Sequence, residues 1–199
     1  MLGIKTTRRM DAMSLLKKDH ETVKKLFDRF EKADENEDAG ECKSIVKEAC
    51  GELKIHATVE EQLFYPALRQ KLEDDDLVNE ADEEHHEAKI LIAELELMSG
   101  DEDNYCAKFE VLSENVRHHI KEEEGELFPA AKKTSIDFEA LGEQMMELKQ
   151  QLQKEGVPPD AEAEMVGEFG VAQESPSMRA KKTLTVPESE RASKRARKH

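Results

Sequence analysis

Four stretches of this chain carry apolar residues that step alternately by three and by four, and each stripe holds a histidine at an inward position. The stripes are Met13, Leu16, His20, Val23, Phe27, Phe30, then Val46, Ala49, Leu53, His56, Glu60, Leu63. The third is Val78, Ala81, His85, Ala88, Ile92, Leu95, and the fourth Phe109, Leu112, Val116, His119, Glu123. Such a period is the buried face of a helix packed among other helices. The connections near 33–41, 73–76 and 99–104 are polar and short, which predicts an all-α fold, an antiparallel up-down-up-down four-helix bundle. Nine glycines and six prolines in 199 residues are too few for a loop-rich β fold. A fifth helix, from 137 to about 153, is expected outside the bundle, packing through Leu141, Met145 and Leu148.

Burying an ionisable side chain costs several kcal/mol (roughly) unless it is paired or bound to a cation. Six such groups lie near the middle of these stripes, so packing error is a poor explanation. His56-Ala-Thr-Val-Glu60 and His119-Ile-Lys-Glu-Glu123 place imidazole and carboxylate one turn apart on one helical face. Both units continue alike, with a second Glu (Glu61, Glu124) and a proline ten residues after the histidine (Pro66, Pro129). Asp19 precedes His20 and Glu84 precedes His85. The sequence thus reads as two helix pairs of one design, each offering two imidazoles and one carboxylate about a pseudo-two-fold axis. Of the adjacent histidine pairs, only His85 and His119 fit the inward steps, because neighbours on a helix point about 100° apart. His86 and His118 are expected to flank the site or face solvent.

Charge limits the partners. The net charge is −16. Residues 175–199 hold eight basic side chains against Glu188 and Glu190, a net +6, which leaves −22 on residues 1–174. So acidic a body repels nucleic acid, whereas the basic tail could meet phosphates or serve as a nuclear-localisation run. The prolines after 157 predict a flexible, mostly disordered tail over 156–199 behind a domain spanning 11–155, with one short helical stretch near 160–169. No apolar run approaches the roughly 20 residues of a membrane span, and no apolar segment of a secretory signal follows Arg8 and Arg9. Cys42, Cys50 and Cys106 form no C-x-x-C and read as reduced thiols of a cytoplasmic protein.

Two half-sites of two nitrogens and one oxygen suggest a dinuclear centre. Glu60 and Glu123 could bridge the cations, with His20 and His56 on one and His85 and His119 on the other. Iron, zinc, copper and manganese all accept such donors. Structural zinc prefers closed shells, often with cysteine, and the cysteines are placed away from this layer. Ferritin-like di-iron sites use Glu-x-x-His and more carboxylates than imidazoles, the reverse of the balance here. Tyr65 and Glu61 are candidates to support the ligands from behind, beside the plainer reading of helix-end packing and a solvated carboxylate.

Over about residues 11–155 the pattern H…HxxxE…H…HxxxE, with its trailing E-x-x-[LF]-[YF]-P, resembles the hemerythrin HHE cation-binding family. The resemblance implies a non-haem di-iron centre, two iron ions with an oxo or hydroxo bridge, held by His20, His56, Glu60, His85, His119 and Glu123. It implies handling of dioxygen, another small diatomic molecule or peroxide, in redox or iron-stress sensing. The alternatives are a di-iron redox enzyme acting on peroxide or nitric oxide, iron storage, and a polar core that takes only adventitious zinc. The invertebrate oxygen carriers have a second histidine one turn along the third helix. Ala81 and Lys89 flank His85 here, which leaves one iron a place for water or another side chain.

Overall fold

The computed structural model describes residues 10–173. Four long helices form on the four stripes: α1 (Ala12–Glu35), α2 (Ala39–Val59), α4 (Asp76–Leu97) and α5 (Tyr105–Glu122). Asp11 and Asp38 start α1 and α2 by accepting the Ser14 and Glu41 backbone N–H groups, each at 3.0 Å. The α1–α2 connection is tighter than the polar stretch suggests. Glu37 adopts a φ of 55°, and Asp38 caps α2 at once. α1 packs on α2 and α4 on α5, while α1 also touches α5 and α2 touches α4, closing a ring of four. No strand occurs among the described residues.

Neither long helix with an HxxxE unit continues as an α-helix. A π turn, Glu60–Phe64, joins α2 to α3 (Tyr65–Arg69), and a second, Glu123–Leu127, joins α5 to α6 (Phe128–Ala131). The prolines explain both. A proline ring clashes with the carbonyl four residues back and brings no N–H, so Pro66 and Pro129 oppose an α turn over Gln62 and Gly125. The wider π turn bonds the Tyr65 and Phe128 N–H groups to the Glu60 and Glu123 carbonyls. It also shifts register by one residue. Leu63, expected inward, is therefore half-buried, and Phe64 and Tyr65 enter the core together.

α7 (Phe138–Glu155) lies against α1, α2 and the first π turn. Its Gly142 crosses the start of α1 so closely that a Cβ would sit 2.5 Å from the Met10 carbonyl oxygen. Leu141, Met145 and Leu152 are buried, but Leu148 is half-buried and Lys149 takes the inward place beside it. α8 (Ala161–Gln173) forms where a short helical stretch was expected, and it packs on α4. It lies within the segment read as a flexible tail. Two polar contacts offset its weak apolar pattern: Asp160 accepts the Ala163 N–H at 2.8 Å, and Glu162 meets His86 Nδ1 at 2.7 Å. The basic segment 175–199 lies outside the described residues.

The core divides in two. One apolar cluster holds Phe27, Phe30 and Phe109, the other Leu16, Phe64, Phe128 and Met145. The inward histidines and glutamates lie where the two clusters meet.

Candidate metal centre

The structure brings the six side chains singled out from the sequence into this middle layer, all buried. One donor atom from each of His20, His56, Glu60 and Glu123 lies within 4.8 Å of the others, and Glu60, His85 and His119 form a second such group. Glu60 joins both. Its Oε2 is 3.1 Å from His56 Nε2 and 3.4 Å from His85 Nε2. Glu123 Oε2 is 3.1 Å from His20 Nε2, and Glu123 belongs to the first group alone. The sequence symmetry had suggested that both carboxylates bridge.

The outer ring nitrogens follow one rule. His20 Nδ1 meets Glu124 at 2.9 Å, and His85 Nδ1 meets Glu61 at 3.0 Å, so each uses the residue after the opposite pair's inward glutamate. His119 Nδ1 meets Glu84 at 2.7 Å, and His56 Nδ1 faces Asp19 at 3.8 Å, each opposite the residue before the neighbouring histidine, but the His56 contact is too long for a hydrogen bond and leaves that nitrogen without one. A carboxylate behind an imidazole holds the proton on Nδ1 and aims the Nε2 lone pair inward, the arrangement that supports a metal-binding histidine. Glu61 was legible as such a group. Asp19, Glu84 and Glu124 were visible only as matching neighbours, with no role assigned.

Most inner atoms lack partners. His20 Nε2, His56 Nε2 and all four oxygens of Glu60 and Glu123 are buried without an aligned hydrogen bond, whereas His85 Nε2 and His119 Nε2 lie 3.3 Å from each other. Each unsatisfied group of this kind costs about 1–3 kcal/mol, more when charged. Burial drives His56 down to about 4, which keeps it in the neutral, ligating form. Burial, and then the facing charge of Glu123, push the Glu60 carboxyl well up. A cation between them removes both penalties, so the donor set fits a metal.

The surroundings break the symmetry. Lys149 from α7 pairs with Asp19 at 2.5 Å inside the protein. Burial opposes charge on Asp19, but His56 and Lys149 outweigh it and hold the carboxyl below its usual value. On the other side Lys89 meets Glu61 at 2.6 Å. Tyr65 places its hydroxyl 3.3 Å from His85 Nε2, whereas the equivalent Phe128 stacks on His20 with ring centres 6.0 Å apart. Burial above all, then Glu60 and Glu123, push the Tyr65 phenol well up, so it stays a neutral hydroxyl. His86 and His118 face outward as their steps predicted. Cys42, Cys50 and Cys106 are free thiols in neither group, and burial pushes Cys50 up to about 12.

A cavity of about 30 Å³ opens beside all four inward histidines. Val23, Leu53, Ala88, Ile92, Val116 and Ile120 line it, with Lys54 and Lys89 among the polar lining. A water needs about 10–15 Å³, so the cavity has room for two or three waters. No helix among the described residues is long and apolar enough to cross a membrane.

Residues 11–131 match the family model of the hemerythrin HHE cation-binding domain. That match spans more than half the chain, which belongs to this family. A crystal structure of a hemerythrin HHE cation-binding domain-containing protein from Mycobacterium kansasii is similar, at 26% identity and a TM-score of 0.61. The similarity covers 78% of this chain and 98% of that one. No curated protein matches the chain.

Proposed function

We propose that this bundle holds two iron ions in its middle layer and uses them to sense or handle dioxygen or a related small oxidant. His20, His56, Glu60 and Glu123 would hold one ion, and His85, His119 and Glu60 the other. The carrying observation is that the inward atoms of the first set and of Glu60 are buried without aligned hydrogen bonds while carboxylates bond the outer nitrogens of His20, His85 and His119. An antiparallel up-down-up-down course of the four long helices belongs to this reading. It is supported by the short α1–α2 connection and by His20 and His56 meeting in one layer, ring centres 4.9 Å apart.

Iron so bound supplies a change of oxidation state and a coordination position for a small ligand. The chain supplies the rest. Carboxylates orient the imidazoles, apolar residues line the cavity, and the Tyr65 hydroxyl, 3.3 Å from His85 Nε2, would be a further donor beside the second ion. Four imidazoles against two carboxylates favour iron over the hard-cation sites of magnesium or calcium.

A second reading, turnover of peroxide or nitric oxide, draws on the smaller ligand set of the His85–His119 side. An absorbance change that appears with oxygen and reverses on degassing supports sensing or carriage. Rapid gas evolution from added peroxide, abolished in His56→Ala, supports an enzyme. A protein inert to oxygen, peroxide and nitric oxide overturns both.

A further inference from the structure

At the end of the bundle where α1 runs into α2, a second donor cluster stands apart from the histidine layer. Asp34 lies in the last turn of α1, Cys42 near the start of α2 and Cys106 in the first turn of α5. Their donor atoms all lie within 4.8 Å of one another. We propose that Asp34, Cys42 and Cys106 form a separate site for one thiophilic divalent cation of the zinc class, which ties the α1–α2 pair to α5.

A tetrahedral zinc with Zn–S bonds of about 2.3 Å needs donors about 3.8 Å apart, so the cluster has to close by no more than about 1 Å. The tight turn at Glu37 brings Asp34 back towards the start of α2, and burial and then the Asp34 charge push both thiols up, Cys106 to about 12, so a cation binds here by displacing their protons. Among the described residues no lysine or arginine pairs with Asp34, whose carboxylate accepts a hydrogen bond from the Cys106 thiol. Cys42 is buried and Cys106 half-buried, which gives an ion one open approach. The same carboxylate argues against a plain redox pair, because a negative charge beside two thiols disfavours the thiolate that peroxide attacks. A cation neutralises all three groups together.

Cadmium is the probe, added to the full-length reduced protein after chelation and also to His56→Ala, where the histidine layer is impaired. We expect one equivalent of cadmium to produce a thiolate-to-metal ultraviolet band in both proteins. The band disappears in Cys106→Ala and in Cys42→Ala, persists in Cys50→Ala, and needs at least about tenfold more cadmium in Asp34→Asn. Cys106 is half-buried, so its variant carries the test if Cys42→Ala fails to fold. Absence of the band at one equivalent, its survival in Cys106→Ala, or its loss in Cys50→Ala overturns the proposal. So does a Cys42–Cys106 disulfide formed with peroxide in a protein that gives no band.

Discussion

On the His20–His56 side of the core, α7 seals the site: Lys149 is buried on Asp19, Phe128 stacks on His20, and four donors face inward. On the His85–His119 side, three donors face inward and Tyr65 contributes a hydroxyl. The backbones and motif repeats are alike. Duplication of a ligand pattern thus need not duplicate its surroundings. In the proposed reading the first side, with four donors, holds its ion more tightly than the second, with three.

The comparison breaks most completely at Glu60, which serves both sides. Glu60→Ala should remove cations from both halves and lower the melting temperature by well over 10 °C, because several imidazoles lose their shared counter-charge; metal analysis and calorimetry read both effects. If only one half empties, Glu60 is no shared ligand. Lys149→Met acts on one side alone. It strands Asp19 inside the protein, costing about 3–5 kcal/mol in denaturant unfolding, and should weaken metal at the His20–His56 side by about 10–100-fold while sparing the other.

The metal-free protein should respond to acid through His56. With its value at about 4 in the folded chain against 6.5 when unfolded, the folded state binds fewer protons across that window. Stability is therefore complete above pH 6.5 and falls towards pH 4, by up to about 3 kcal/mol. Glu60 works in the opposite sense, since a raised carboxyl costs stability as pH climbs. The His56 contribution is the slope that disappears in His56→Leu, and an unchanged slope removes it. The smallest effect belongs to Tyr65→Phe, which gives the second side the ring found on the first. Losing one hydrogen bond should cost about 1 kcal/mol in chemical denaturation and alter the optical spectrum of the loaded protein. An unaltered spectrum shows that the hydroxyl stays clear of the second ion.

Much of this centre was legible as residues spaced on helices. Period alone placed His20, His56, His85 and His119 inward and sent His86 and His118 out, because a turn of about 3.6 residues leaves adjacent side chains little choice. The π turns were not read, although Pro66 and Pro129 at matched positions signalled them; without them Leu63 rather than Phe64 and Tyr65 looked inward. Lys149 was missed for a different reason. A lysine beside Leu148 looks like a solvated neighbour until tertiary packing supplies Asp19. α8 likewise depends on contacts with α4 that its own weak periodicity does not announce.

The central claim is that cations neutralise the six buried side chains. Metal analysis of anaerobically purified full-length protein, with spectra before and after air, tests it most directly. About two irons per chain and a near-ultraviolet band that grows on exposure to air are expected. A folded protein that contains zinc alone, or no metal in the histidine layer, contradicts it.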